Sequence, residues 1–195
     1  VKDVVNDSFD SGSLSFKDFK VRRNLKIDMD KYPYKSLKIK TARGNIKIYG
    51  WNKDSVKADV EICENKEFDS DVYFEEGELI IKSKTGNKVS IGDVTVYIPE
   101  NLSFIDLSTA SGDVLVSDIK TDGNSSINTV NGDVSISNLK NSSEFKIKTV
   151  NGDLDVNLSD FNSIVFNAVS GDIRFNNSKA ENGVFKTLNG DIDLS

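Results

Sequence analysis

The chain has 195 residues, of which 37% are hydrophobic, and its formal net charge at pH 7 is −6. This length suits one domain or two small ones, and the hydrophobic fraction permits a continuous core if the apolar residues are regularly placed. Lys and Arg are scattered among Asp and Glu without a basic stripe, which argues against a nucleic-acid partner.

Two residue types narrow the chemistry further. The sequence contains no histidine, which removes the commonest general base and the commonest transition-metal ligand. Cys63 is the only cysteine, so an intrachain disulfide framework is excluded. We therefore expect a protein that is not an enzyme, and we predict no catalytic and no cofactor-binding residue.

The N-terminal segment differs from the rest of the chain, because it carries mixed charge and follows no repeat. We interpret residues 1–34 as a cap or a lead-in segment, and residues 35–195 as one repeat domain. The chain begins with Val1, and it contains no signal peptide and no apolar run long enough to span a bilayer. We therefore expect no membrane insertion by this segment, and an export signal or a membrane anchor outside it.

The repeat domain begins irregularly. The stretch KSLKIKTARGNIKIYG places apolar residues at every second position on both sides of Gly44, and DVYFEEGELIIKS does the same around Gly77. Alternation with a period of two is typical of strands that are buried on one face. These stretches predict irregular N-terminal coils ahead of a regular series.

In the regular series a glycine followed by Asp recurs at an almost constant interval, which becomes one residue shorter after Gly152, and each glycine is predicted to form a structural turn. These glycines are Gly92, Gly112, Gly132, Gly152, Gly171 and Gly190. From Gly112 onward, apolar residues stand five positions before the glycine and two and four positions after it, and Thr or Ala stands three before it. Each unit is therefore predicted to be two short strands that flank a turn.

The constant interval favours a solenoid over a series of hairpins. In a solenoid, equivalent residues of successive coils stack about 4.8 Å apart, so one residue type recurs at one height. The sequence therefore predicts an all-β, single-domain β-solenoid (parallel β-helix) with coils of about 20 residues. The repeat does not determine the handedness, and right-handed winding is expected only because it is the commoner kind. An antiparallel sandwich or barrel is the alternative. The last strand, with Ile192 and Leu194, either associates end to end with another chain or is protected by Asp191 and Asp193.

The Asp that follows each glycine is the feature that most resembles a site. Stacked carboxylates would repel each other by roughly 1 kcal/mol per neighbouring pair even in water. A calcium ion shared between coils would relieve this repulsion. The favoured interpretation is a structural corner, in which Gly takes a positive φ and Asp accepts backbone N–H groups. The residues of the alternative calcium ladder are Asp113, Asp133, Asp153, Asp172 and Asp191.

Two smaller groups of residues suggest carbohydrate chemistry. Trp51 and Tyr49 would form a sugar-stacking patch if their rings were exposed, but packing at an edge or in the core is the favoured interpretation. Glu75 and Glu76 match the paired carboxylates of a glycosidase, although such pairs are frequent on solvated strands. Neither group is predicted to be catalytic.

The repeat units also resemble a known family. The units are TASGDVLVSDI, TVNGDVSISNL, TVNGDLDVNL, AVSGDIRFNN and TLNGDIDLS, preceded by TARGNIKIYG. With their serial (S/T)-x-(N/S)-G-(D/N)-(I/L/V) turns, they resemble the bacterial putative adhesin family from about residue 36 to residue 195. The resemblance implies a β-solenoid in a protein that is exported or anchored at the cell envelope, and it brings no catalytic residues.

We therefore predict a non-enzymatic, extracytoplasmic β-solenoid that serves in adhesin-like interaction or as a structural or sensory module. Its partner would be a protein or a glycan at the cell surface. The alternative is a polysaccharide-binding or polysaccharide-cleaving β-helix, which needs charged side chains that converge on the outward face of adjacent coils. The outward residues Lys146, Lys148, Asp155, Arg174 and Lys186 are mixed in sign and show no such convergence in the sequence.

Overall fold

The computed structural model describes residues 19–195, in which all regular secondary structure is β-strand and no helix occurs. The strands of these residues are β1 (Val21–Met29), β2 (Ser36–Thr41), β3 (Ile46–Trp51), β4 (Val56–Glu64), β5 (Ser70–Glu75), β6 (Glu78–Ser83), β7 (Val89–Pro99), β8 (Asn101–Leu102), β9 (Phe104–Ser111), β10 (Val114–Ser117), β11 (Lys120–Thr121), β12 (Ser125–Asn131), β13 (Val134–Ser137), β14 (Lys140–Lys148), β15 (Leu154–Asn157), β16 (Asp160–Asn167), β17 (Ile173–Asn176), β18 (Lys179–Lys186) and β19 (Ile192–Leu194).

The strands form two sheets that run along the whole described length. The first sheet has the order β1-β4-β7-β3-β10-β13-β15-β17-β19, and the second has the order β18-β16-β14-β12-β9-β2-β6-β5, with β8 and β11 beside it. In the regular half, neighbouring coils pair in parallel and in register, so that Val114 pairs with Val134 and Val134 with Leu154. This arrangement confirms the predicted all-β solenoid.

The shortening of the repeat interval after Gly152 has a visible structural cause. Asn141 of β14 pairs with Phe161 of β16, but Glu144 pairs with Ser163, so the sequence offset between paired residues falls by one along β14. The register shifts between Asn141 and Glu144, and β14 has an additional residue opposite β16. The bulge in β14 lets a coil that is one residue shorter pair with its longer neighbour, so the core columns stay aligned on both sides of it.

The predicted apolar columns form the core of the solenoid. The side chains five positions before the glycine have no exposed surface at Leu107, Ile127, Ile147 and Phe166. The side chains two positions after it are equally buried at Val114, Val134, Leu154 and Ile173. In the last coil, Ile192 and Leu194 are 46% and 56% exposed, because β19 is an edge strand of the first sheet.

The order of the coils in space differs from their order in the chain. β3 pairs with β7 on one side and with β10 on the other, and β2 lies between β6 and β9. The coil of residues 36–51 is therefore inserted between the coils that Gly92 and Gly112 mark, although these two are successive in the sequence. The chain reaches this arrangement through β4 and β7, which pair antiparallel. This pairing places β7 on one side of β3 and leaves the other side of β3 open for β10.

The N-terminal end of the solenoid is closed by antiparallel strands. β1 pairs with β4 along its whole length and forms the edge of the first sheet, and β5 pairs with β6 at the edge of the second. The interpretation of residues 1–34 as a cap or lead-in segment also concerns residues 1–18, which lie outside the described residues.

Each regular coil has a third side that the sequence analysis missed. β8, β11 and the first residues of β14, β16 and β18 pair in parallel as a narrow ladder, in which Lys120 pairs with Lys140 and Lys140 with Asp160. The middle residue of each segment points inward, and Thr121 and Phe161 are 5% and 1% exposed. The units are thus three-sided coils, whereas two strands per unit were predicted.

A second corner lies between the first sheet and this third side. The residue at the corner takes a positive φ of 60° at Asp118, 50° at Asn138, 52° at Leu158 and 48° at Asn177. In this left-handed conformation the Cβ of any L-residue lies close to the following carbonyl oxygen, but the short polar side chains of Asp and Asn can offset this by local hydrogen bonds, and the side chain of leucine cannot. Leu158 is 63% exposed, so packing does not compensate for the unfavourable backbone.

We expect Leu158→Asn to raise the free energy of unfolding by about 1 kcal/mol, because Asn adopts the left-handed region at a lower cost. The measurement is urea unfolding of both proteins, with Asn138→Leu as the matched reverse change at the preceding corner. Asn138→Leu should destabilise by more than this, because it also removes the hydrogen bond from Asn138 Nδ2 to Asp118 Oδ1 at 2.6 Å. An unchanged or lower stability of Leu158→Asn would contradict the strain assigned to this corner.

Candidate functional site

The Asp column forms a continuous hydrogen-bond ladder along the glycine corner. Each Oδ1 atom accepts the backbone N–H of the equivalent residue in the next coil, as from Asp133 to Asp113 at 2.9 Å and from Asp153 to Asp133 at 2.8 Å. Asn45 of the inserted coil takes part, since its N–H donates to Asp93 and its Oδ1 accepts from Asp113. Asp172 and Asp191 extend the ladder to the last coil.

This ladder gives the column a structural role. Besides the ladder bonds, Arg174 contacts Asp172 at 3.1 Å and Asp153 at 3.6 Å, which offsets part of the carboxylate repulsion. Within residues 19–195, no group of three or more His, Cys, Asp or Glu side chains is placed to hold a metal ion. Calcium binding by the column stays the untested alternative to a structural corner.

Variants of Asp133 separate the ladder from a metal site. We expect Asp133→Ala to lower the free energy of unfolding by about 1 kcal/mol, because the N–H of Asp153 loses its acceptor. Asp133→Asn should be neutral or stabilising, because the amide oxygen still accepts, as in Asn45, and a charge between two carboxylates is removed. Urea unfolding measures both. A rise of the wild-type Tm on adding calcium that is absent from Asp133→Asn would instead indicate a metal site.

The predicted turn glycines lie at the same corner, with one exception. Gly112, Gly132, Gly152, Gly171 and Gly190 take φ values between 143° and 157°, a range suited to glycine. Gly92 lies inside β7. There Ile62 of β4 pairs with Ile91, and Val60 pairs with Val94. Two residues of β7, Gly92 and Asp93, therefore lie opposite the single residue Glu61, and this arrangement is a β-bulge. The bulge replaces the turn expected at Gly92.

Trp51 and Tyr49 belong to an aromatic stack whose third ring, Tyr97, the sequence analysis missed. Tyr49 and Tyr97 stack with ring centroids 5.1 Å apart, and Trp51 lies 5.7 Å from Tyr97. Lys53 lies over the Trp51 ring, with its Nζ atom 4.8 Å from the centroid. The rings face one another or the lysine, which favours packing at the sheet surface over an open sugar platform.

The remaining sequence candidates are dispersed. Glu75 and Glu76 lie at the turn between β5 and β6, and Asp155 lies on the outer face of the first sheet. Cys63 has no exposed surface, and burial raises the pKa of its thiol, so little reactive thiolate is present. None of these side chains lies in a cleft with another candidate.

A groove lies on the third side, and we call it the third-side groove. It has a volume of about 520 Å³ and runs across β8, β11, β14, β16 and β18. One row of exposed side chains along it is Asn101, Lys120, Lys140 and Asp160. A parallel row is Asp122, Ser142, Asn162 and Glu181. The groove is open to solvent along its length, and a ligand in it would keep one side exposed.

The floor of the third-side groove is held rigidly. The Nδ2 atom of Asn141, which is 3% exposed, donates to Thr121 Oγ1 at 2.8 Å and to the Gly123 carbonyl at 3.0 Å. At one end, Lys120 Nζ contacts Glu100 at 2.7 Å. These bonds fix the floor of the groove, on which the exposed side chains stand. The sequence carries a faint signal for it in KTD, KNS, DFN and KAE, which recur at the repeat interval with a buried or half-buried middle residue.

A family profile described as Toastrack DUF4097 matches residues 3–195. The chain belongs to this Toastrack family. The predicted resemblance to the bacterial putative adhesin family is thereby confirmed. Among curated proteins, none matches the sequence. In residues 19–195 of this Toastrack domain, no helix is long and apolar enough to cross a membrane.

Solved structures also resemble the Toastrack domain at low sequence identity. A putative cell adhesion protein from Clostridium sporogenes is 11% identical with a TM-score of 0.49, and the match covers 89% of this chain and 99% of that one. A putative adhesin from Bacteroides fragilis is 15% identical with a TM-score of 0.43, covering 89% and 97%. Likeness of this degree says nothing about what the domain binds.

Proposed function

We propose that this Toastrack domain is a non-enzymatic interaction module of the cell surface, which holds a partner along the third-side groove. The observation that carries the proposal is the groove itself, because hydrogen bonds fix its floor and two rows of exposed polar side chains line it. Ser142, Asn162 and Lys140 make no side-chain hydrogen bond or ion pair with other residues of the range 19–195, so they are free to bind a partner.

The charges in the groove support binding more than catalysis. Its carboxylates are Asp122, Asp160 and Glu181, and all three side chains are exposed to solvent. The general acid of a glycosidase is usually a carboxyl group that burial keeps protonated. The sequence has no histidine that could serve as a base instead. These features support a non-enzymatic role.

The proposed location is extracytoplasmic, because the family resemblance implies export or anchoring at the envelope. The location is tested by fractionation of cells that express the full gene product with an epitope tag. We expect the tag in the envelope or surface fraction. A cytosolic product would contradict the proposed location.

The binding role is tested with the purified chain and a panel of envelope components that contains glycans, lipid vesicles and surface proteins. We expect saturable binding of at least one component, lost when Lys140 and Asn162 are both changed to Ala. Lys148→Ala with Asn167→Ala is the matched control, because these residues lie on the same two strands but on the outer face of the second sheet. No binding of any component would contradict the proposed role.

Polysaccharide cleavage is the second candidate function. It is favoured by the presence of carboxylates in a groove that crosses several coils, as a polymer would. The same glycan panel tests it when the products are separated by size after incubation. Shortened chains that disappear in Asp160→Asn with Glu181→Gln would establish an enzyme and overturn the non-enzymatic role.

A further inference from the structure

We infer that the third-side groove binds an extended, uncharged glycan, an inference that rests on the proposed role as an interaction module. The groove offers a hydroxyl at Ser142, an amide at Asn162 and an ammonium group at Lys140. A hydroxyl and an amide both donate and accept hydrogen bonds, which matches the hydroxyl groups of a sugar. Each row places one polar side chain on every coil, about 4.8 Å apart, so an extended ligand can contact a polar group at each coil, although the residue types differ from coil to coil.

The backbone of the groove floor disfavours a peptide as the ligand. An extended peptide is usually held by main-chain hydrogen bonds to a free strand edge. Here the backbone N–H groups of successive coils are already bonded, from Lys120 to Glu100 at 2.7 Å, from Lys140 to Ile119 at 2.9 Å and from Asp160 to Leu139 at 2.8 Å. A ligand in the groove therefore meets side chains only, and a glycan binds in that way.

The charge of the groove selects against acidic glycans. Two lysines and three carboxylates line it, which gives a net charge of −1. One of the lysines, Lys120, is already paired with Glu100. The exposed Lys179 stands next to Asp160 in the same row, so the remaining charges are Lys140 and Lys179 against Asp122, Asp160 and Glu181, again a net charge of −1. The chain as a whole carries −6. A uronic acid polymer would be repelled locally and at long range, whereas an uncharged chain would not.

The experiment uses the full chain and calorimetric titration with a set of uncharged oligosaccharides, which includes cello-oligosaccharides and N-acetylchito-oligosaccharides, and with oligogalacturonates of the same length. We expect binding of an uncharged member at low salt and at least tenfold weaker binding of oligogalacturonate. Lys140→Ala with Asn162→Ala should weaken the uncharged ligand at least tenfold. The affinity of Lys148→Ala with Asn167→Ala for the uncharged oligosaccharide should stay within about twofold of that of the wild type. The Tm of both double variants is measured to check that they fold.

A second variant tests the charge argument separately. Asp160→Asn with Glu181→Gln should strengthen oligogalacturonate binding about fivefold or more at low salt, with the gain removed by high salt. Failure of every uncharged oligosaccharide to bind, or tighter binding of oligogalacturonate by the wild-type chain, overturns the inference. If only vesicles or proteins bind, the inference fails but the proposed interaction role stands. If no component binds, the proposed role itself fails.

Discussion

Gly152→Ala is expected to lower the free energy of unfolding by about 3 kcal/mol or more, which is a large part of the total stability of an ordinary domain. Gly152 has a φ of 157°, which residues with a Cβ rarely adopt. A Cβ at this position would also lie 2.0 Å from the carbonyl oxygen of Gly132 in the neighbouring coil. Because the clashing atom belongs to the backbone, the two coils must separate, and the Asp ladder between them lengthens.

Gly86→Ala is the matched control for this change. Gly86 also has a positive φ, 83°, but a Cβ there would meet no atom within 4 Å. Its substitution should therefore cost only the conformational penalty, about 1 kcal/mol. Urea unfolding of both variants gives the difference. If Gly152→Ala and Gly86→Ala lose the same stability, the close contact between coils at Gly152 does not explain the need for glycine there.

Arg23→Met is expected to lower the free energy of unfolding by about 3 kcal/mol, because it leaves a buried carboxylate without its cation. Glu64 at the end of β4 has no exposed surface. Its Oε1 atom accepts from Arg23 Nε at 2.7 Å and from the Phe68 N–H at 2.8 Å, and its Oε2 atom accepts from Ser70 Oγ at 2.7 Å. These bonds join β1, β4 and β5 where the N-terminal end of the solenoid closes.

The neighbouring residue supplies the control for this ion pair. Arg22 contacts Glu61 at 3.8 Å with about half of its side chain exposed, so it represents a surface pair. Pairs of that kind contribute about 0–1 kcal/mol. Arg22→Met should therefore cost far less than Arg23→Met in the same unfolding assay. Similar losses of stability for the two variants would contradict the claim that the buried pair of Arg23 and Glu64 stabilises the fold more than the exposed pair of Arg22 and Glu61.

The same carboxylate predicts a pH dependence. Burial by itself raises the pKa of Glu64, but the hydrogen bonds from Arg23, Ser70 and Phe68 outweigh it, so the folded-state pKa lies below the ordinary value. The folded state thus binds fewer protons, and the stabilisation is present above the unfolded pKa, near 4.3, and is lost as the pH falls through the folded pKa. Comparing Glu64→Gln with the wild type from pH 7 to pH 3 measures this, and the difference between them should shrink below about pH 4.

Hydrogen bonds from Asn87 and Thr85 also lower the pKa of Asp69, so part of the acid sensitivity comes from that group. Because Glu64→Gln keeps Asp69, the difference between the two stability curves isolates Glu64. A difference that stays constant down to pH 3 would contradict the lowered pKa of Glu64.

The regular half of the fold could be read from the sequence because its signals are local. Period-two alternation defines which side chains point inward, and the constant interval places Leu107, Ile127 and Ile147 at one height, where all three are buried. Its place beside glycine also put the Asp column at the corner, except at Asp93, which lies in the bulge of β7. Sequence reasoning did not identify which N–H group donates to each Asp. The donor is the backbone N–H of the equivalent residue in the next coil.

The tertiary structure alone decided which coils are neighbours and which surface they create. The columns contain the same residue types in every coil, so stacking energies hardly distinguish the coil of Gly44 from the coil of Gly112 as the neighbour of the strand that contains Gly92. The antiparallel pairing of β4 with β7 determines that β7 lies beside β3, in the coil of Gly44. The third-side groove follows from the same cause. Lys140 and Asn162 belong to different coils and share one groove only because parallel pairing of β14 with β16 brings successive coils into contact.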